Sequence, residues 1–140
     1  MMDYQTAVRG AFFDIAGVAE TPDEVAAQAR YLDDGLLFLQ EGKIIALLPW
    51  QQGEAFLHPL KGYVDLRGKL LLPGFVDAHV HYPQTEMIGA FGEQLLEWLT
   101  TYTFPVESQF ADAEYAQEIA QFFVNQLISH GTTTALVFCT

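Results

Sequence analysis

Two kinds of hydrophobic pattern divide the chain. Through residue 72 the apolar positions come in short runs broken by glycine, proline and charged residues, which is the punctuation of strands and turns. Ala7–Ile15 mixes β-formers with Gly10 and predicts a strand. Thr21 can cap a helix, Pro22 suits the first helical position and Glu24 can close a capping box, so a short helix from Pro22 to Arg30 is expected. Leu36–Gln40 and Lys43–Leu48 flank Glu41-Gly42 and predict a β-hairpin with a two-residue turn. Gln51–Gly62 reads as a loop. Tyr63–Leu66 and Lys69–Leu72 read as two short strands on either side of Arg67-Gly68.

Pro73-Gly74 marks a change of pattern. Phe75–His81 predicts a strand. Glu93–Thr101, carrying Leu95, Leu96, Trp98 and Leu99, predicts a helix that Pro105 ends or whose end it closely follows. Asp112 is placed to cap a long helix whose apolar face is Tyr115, Ile119, Phe122, Phe123 and Leu127, with Gly131 as its C′ residue. Thr132–Phe138 is apolar and β-branched almost throughout, the signature of a strand buried on both faces in a parallel sheet. The expected organisation is therefore a β-rich unit over residues 1–72 and an α/β unit over residues 73–140. Two parallel strands do not make a stable sheet alone, and a (β/α)₈ barrel needs about 250 residues. The expectation is that the chain is the N-terminal part of a larger protein.

Composition sharpens this picture. The 140 residues are 51% hydrophobic and only 17% charged, with 11 Phe, 6 Tyr and 2 Trp. Such a chain is too apolar to be disordered, and it carries more apolar surface than its size needs. Six basic residues against 18 acidic ones give a net charge of −12, which disfavours nucleic acid and anionic membrane surfaces as partners. The one cysteine, Cys139, excludes an internal disulfide and zinc-finger spacings, and is expected to be a small buried residue. There is no signal-peptide pattern at the N-terminus, and no apolar run approaches the ~20 residues that span a bilayer. A soluble, cytoplasmic protein is expected.

The chemistry concentrates in Pro73-Gly74-Phe75-Val76-Asp77-Ala78-His79-Val80-His81. Residues two apart on a strand share a face, so His79 and His81 project side by side with Cα atoms roughly 6.6 Å apart. Two imidazoles so placed can grip one divalent cation, although a catalytic zinc takes three protein ligands. His58 lies before Pro59 in a loop. His130 ends the long helix, where a partly positive imidazole is favourable without any ligand role. Asp77 shares the face of His79 and His81, and hydrogen bonding to neighbouring backbone is its expected role.

The strand Pro73–His81, preceded by Asp65-Leu66-Arg67-Gly68-Lys69, resembles the entry strand of the metal-dependent amidohydrolase superfamily. Within that superfamily the chain is most similar to the guanine deaminase family. The matching stretches are His79-Val80-His81-Tyr82-Pro83-Gln84, Gly92-Glu93-Gln94-Leu95-Leu96-Glu97-Trp98-Leu99, Thr103-Phe104-Pro105-Val106-Glu107 and His130-Gly131-Thr132-Thr133-Thr134-Ala135. The resemblance implies an α/β fold: a small N-terminal β-sandwich segment, then the first βα units of an incomplete TIM (β/α)₈ barrel. It implies Zn²⁺ as cofactor with His79 and His81 as metal ligands, Gln84 hydrogen-bonding guanine, and the backbone around Tyr82 and Pro83 lining the base pocket. It implies hydrolysis of guanine to xanthine and ammonia by a homodimer, with the proton-shuttling residue and the other ligands outside these 140 residues. The chain by itself is then expected to be inactive and prone to self-association. A chlorohydrolase-like amidohydrolase, another nucleobase deaminase and a non-catalytic binding protein are the alternatives.

Overall fold

The computed structural model describes residues 3–59, 61–92 and 94–139. The chain divides into two compact units, Met1–Pro73 and Gly74–Thr140.

The first unit is built on one mixed four-stranded sheet, in the order β3-β2-β1-β4. Its strands are β1 (Thr6–Ile15), β2 (Ala29–Gln40), β3 (Lys43–Pro49) and β4 (Val64–Leu71). β1 pairs antiparallel with β2 and parallel with β4, while β2 and β3 form the expected hairpin. Glu41 (φ 50°) and Gly42 (φ 73°) both occupy the left-handed region that a two-residue hairpin turn demands. Helix α1 (Pro22–Gln28) has Thr21 as its N-cap, accepting from the Glu24 N–H. It stops two residues earlier than the pattern predicts, because Ala29 and Arg30 already pair with Ile15 and Asp14 in the sheet. Sheet pairing and the Arg30–Asp14 ion pair win over a weak local propensity.

Two further expectations are corrected in this unit. Gln51–Gly62 is not simply a loop: α2 (Trp50–Gly53) runs into a 3₁₀ turn at Glu54–Phe56. The segments predicted as two strands around Arg67-Gly68 are one strand, β4. Between the pairs Arg9↔Asp65 and Ala11↔Leu70, β4 advances five residues to two on β1, so Arg67-Gly68 is a bulge and not a break. The core is Tyr4, Ala7, Leu36 and Phe38, flanked by Ala46, Leu48, Trp50 and Leu57. Tyr4 meets Phe38 edge-on at 5.1 Å, and its hydroxyl accepts from the His58 N–H at 2.7 Å. Arg9 is held by Asp34 in a two-pronged ion pair, at 2.8 and 2.6 Å, and lies 3.5 Å above the Trp50 ring. That hydrogen-bonded pairing lowers the Asp34 carboxyl and raises the Arg9 guanidinium.

The second unit is a βα crossover. β5 (Phe75–His81) and β6 (Thr132–Phe138) form a two-stranded parallel sheet. Between them lie a 3₁₀ segment (Tyr82–Met87), a helical stretch and the long helix α5 (Ala113–Ser129). Asp112 caps α5 by accepting from the Glu114 and Tyr115 N–H groups. Gly131, at φ 87°, gives the left-handed turn that ends it. Ile119 and Phe123 are the buried members of its apolar face.

The middle stretch differs from the predicted helix over Glu93–Thr101. Glu93 lies outside the described residues, and α3 (Leu95–Trp98) passes into a π-helical turn (Leu99–Thr103) and then into α4 (Phe104–Glu107). Pro105 does not end the helix but sits in its new first turn. The wider π turn offers the register change that a ring without an N–H requires. β6 is also not buried on both faces: Leu136 is 61% exposed and Cys139 is exposed. With one neighbour strand, only part of its apolar surface is covered.

Candidate metal and base-binding site

β5 brings the chemistry to the top of the small sheet. Its pairing with β6 shifts between Asp77↔Ala135 and Val80↔Val137, so β5 carries one residue more than β6 across Ala78-His79. A bulge re-aims side chains and leaves a backbone group unpaired. The Asp77 carboxylate supplies the partner, with Oδ1 accepting the His79 N–H at 3.0 Å. This is the backbone role expected of Asp77.

The rings of His79 and His81 converge. Their Nε2 atoms are 3.1 Å apart and their centroids 5.1 Å. Two donors at that separation, each bound at ~2.0–2.1 Å, subtend roughly 100° at a shared cation, close to the tetrahedral angle zinc adopts. The pair therefore fits two of the positions of such an ion. No group of three or more His, Cys, Asp or Glu side chains able to hold a metal occurs among the described residues.

Phe138 is the support that pattern reading misses. It is the β6 partner of His81, and its ring stacks on both imidazoles, at 4.5 Å from His79 and 5.1 Å from His81. The two histidines thus share one apolar wall. A cavity of about 700 Å³ opens beside them, within the range of small-molecule sites. Its walls include His79, His81, Gln84, Trp98, Phe123 and His130. Trp98 is oriented by its Nε1–H, which donates to the Ala90 carbonyl at 2.9 Å. His130 has Nδ1 2.8 Å from the Gln126 carbonyl, so that nitrogen is tied back to α5.

Gln84 faces the cavity from the 3₁₀ segment, and its Nε2 donates to Glu107 Oε1 at 3.0 Å. Tyr82 and Pro83 are not in the cavity wall. Pro83 is buried, and Tyr82 meets Phe110 edge-on at 5.2 Å. The 3₁₀ segment is also tied to α5 by the Tyr115 hydroxyl, which donates to Glu86. That hydrogen bond is the main reason the phenol is pushed up to about 12. Nothing local in the sequence pairs Glu107 with Gln84, a partner 23 residues away.

Comparison with known proteins settles the family. Residues 70–140, half of the chain, match the amidohydrolase family model. The chain belongs to the amidohydrolase family. Its members generally use a metal. This amidohydrolase chain is 50% identical over 134 residues to the guanine deaminase of Escherichia coli strain K12, covering 96% of the chain and 30% of the relative. The solved E. coli guanine deaminase superposes with a TM-score of 0.91, over 96% of the chain and 31% of that structure. A guanine deaminase from Bradyrhizobium japonicum, 36% identical, superposes at 0.85 over 96% of the chain and 29% of its own. One from C. acetobutylicum, with guanine bound in its active site, is 27% identical and superposes at 0.75, over 96% and 30%. The chain thus spans about a third of the length of these relatives. The fold is α/β: an N-terminal β-sandwich segment followed by the first βα units of a TIM (β/α)₈ barrel. Among the described residues, no helix is long and apolar enough to cross a membrane.

Proposed function

We propose that His79 and His81 are the first two ligands of a catalytic Zn²⁺, that Gln84 hydrogen-bonds guanine, and that the complete gene product hydrolyses guanine to xanthine and ammonia. The observation that carries the reading is the convergence of the two Nε2 atoms on one cavity with Gln84. The 50% identity to a guanine deaminase supports the choice of substrate.

A zinc ion held there would supply a water of lowered pKa as nucleophile near neutral pH. The protein's own part is orientation. To bind a cation both rings must present Nε2 lone pairs and keep their proton on Nδ1. Asp77 fixes the backbone of His79, and Phe138 fixes the plane of both rings. Gln84 offers an amide, donor and acceptor together, to the edge of a neutral purine. Water adds at the carbon bearing the exocyclic amine, and that C–N bond breaks to release ammonia.

The test is xanthine formation by the complete gene product with added zinc. Zinc-dependent turnover is expected, with its loss in His79→Ala and His81→Ala. Residues 1–140 alone bring two nitrogen donors together, fewer than a catalytic zinc takes, and are expected to be inactive. No turnover of guanine by the complete product, with turnover of another base, would assign it to a different amidohydrolase. The same likeness to guanine deaminases carries the proposals of a homodimer and a cytoplasmic location. Light scattering and cell fractionation check them.

A further inference from the structure

We propose that Glu107 is a positioning residue that decides which end of the Gln84 carboxamide faces the cavity, and so selects ligands that present a hydrogen-bond donor there. The inference rests on the guanine reading and deepens it. A carboxylate can only accept, so the Gln84 amide must turn its NH₂ group toward Glu107, which the 3.0 Å Nε2–Oε1 contact shows. The opposite orientation would set the amide oxygen against a carboxylate oxygen. Gln84 lines the cavity and Glu107 stands outside its wall. The amide oxygen is therefore the end left for a ligand. It accepts, and suits the N1–H and 2-amino edge of an oxopurine. It opposes the bare N1 of a 6-aminopurine.

The fold devotes a specific device to this contact. Glu107 is the last residue of α4, which follows the π-helical turn at Leu99–Thr103. One extra residue in that turn rotates everything after it by about 100° relative to a continuous α-helix. The rotation sets Glu107 against the 3₁₀ segment that carries Gln84.

The experiment is a double-mutant cycle in the complete, zinc-loaded gene product with Glu107→Gln, Gln84→Met and the double variant. A glutamine at 107 donates as well as accepts, so the Gln84 amide is free to turn. Losing a hydrogen bond to a charged group predicts a guanine KM about tenfold higher, with kcat within about threefold. In the Gln84→Met background the same change should move KM by less than about twofold, because Glu107 acts through Gln84. Competitive inhibition by adenine should tighten in Glu107→Gln, a readout that a packing defect would not give. Equal KM costs in both backgrounds, or no change in KM and adenine inhibition, would overturn the inference while leaving guanine turnover intact. Absence of guanine turnover in the unmodified protein would overturn the functional reading first, and this inference with it.

Discussion

Removing the ring of Phe138 tests how the His79–His81 pair is held. Phe138 lies 4.5 Å from His79 at an interplanar angle of 30°, and 5.1 Å from His81 at 19°. Both separations fall where aromatic pairs attract, and each such pair contributes about 0.5–1.5 kcal/mol beyond area burial. Phe138 is 39% exposed, so the burial term is modest and the stacking carries most of the effect. The two contacts together come to about 1–3 kcal/mol, and that is the energy available to keep both imidazoles in the binding orientation. If all of it acts on the site, Phe138→Ala weakens zinc binding by about 5- to 150-fold. Competition with a chromophoric chelator at neutral pH, on the complete gene product, reads this directly. Phe122→Ala is the control: Phe122 lines the same cavity and is 52% exposed, but has no ring contact with either histidine among the described residues. It should change zinc affinity by less than about twofold, the size of an ordinary surface substitution. Unchanged affinity in Phe138→Ala, or equal losses in both variants, would refute the idea that this wall orients the two imidazoles.

Four other outcomes follow from the geometry. Phe38 is fully buried against Tyr4, so Phe38→Ala should cost about 3–5 kcal/mol in urea unfolding, against about 0.5 kcal/mol or less for Val18→Ala at a 92% exposed site. Glu41 sits at φ 50°, where asparagine is better tolerated, so Glu41→Asn should raise stability by about 1 kcal/mol; a lower Tm would contradict this. The Tyr115 phenol is pushed from its ordinary 10 up to about 12, so its contribution is full below pH 10 and disappears as pH rises toward 12. Stability measured from pH 8 to 12 should fall less steeply in Tyr115→Phe. The Asp65 carboxyl is held down to about 2, chiefly by its side-chain hydrogen bond with Arg67. That contribution is present above pH 4 and is lost as pH falls toward 2, and Asp65→Asn should remove this acid-dependent part.

What could be read from the sequence, and what could not, follows from the range of the physics involved. Local rules were enough for the hairpin at Glu41-Gly42, the Thr21 and Asp112 caps, the Gly131 stop and the strand carrying His79 and His81, because each depends on neighbours within a few residues. The period-2 rule put both histidines on one face but could not bring their Nε2 atoms to 3.1 Å. That distance comes with a bulge defined by the register of β6, more than fifty residues on, and with a ring at Phe138 that stacks on both. The same limit explains Pro105. Its missing N–H argued for a helix end, and only the π turn before it shows how the chain continues and why Glu107 meets Gln84. The proposed ligands, His79 and His81, were legible because chemistry marks them by residue type. Their supports, an Asp, a Phe and a Glu, are residue types used everywhere, and only contact across the fold gives them a role.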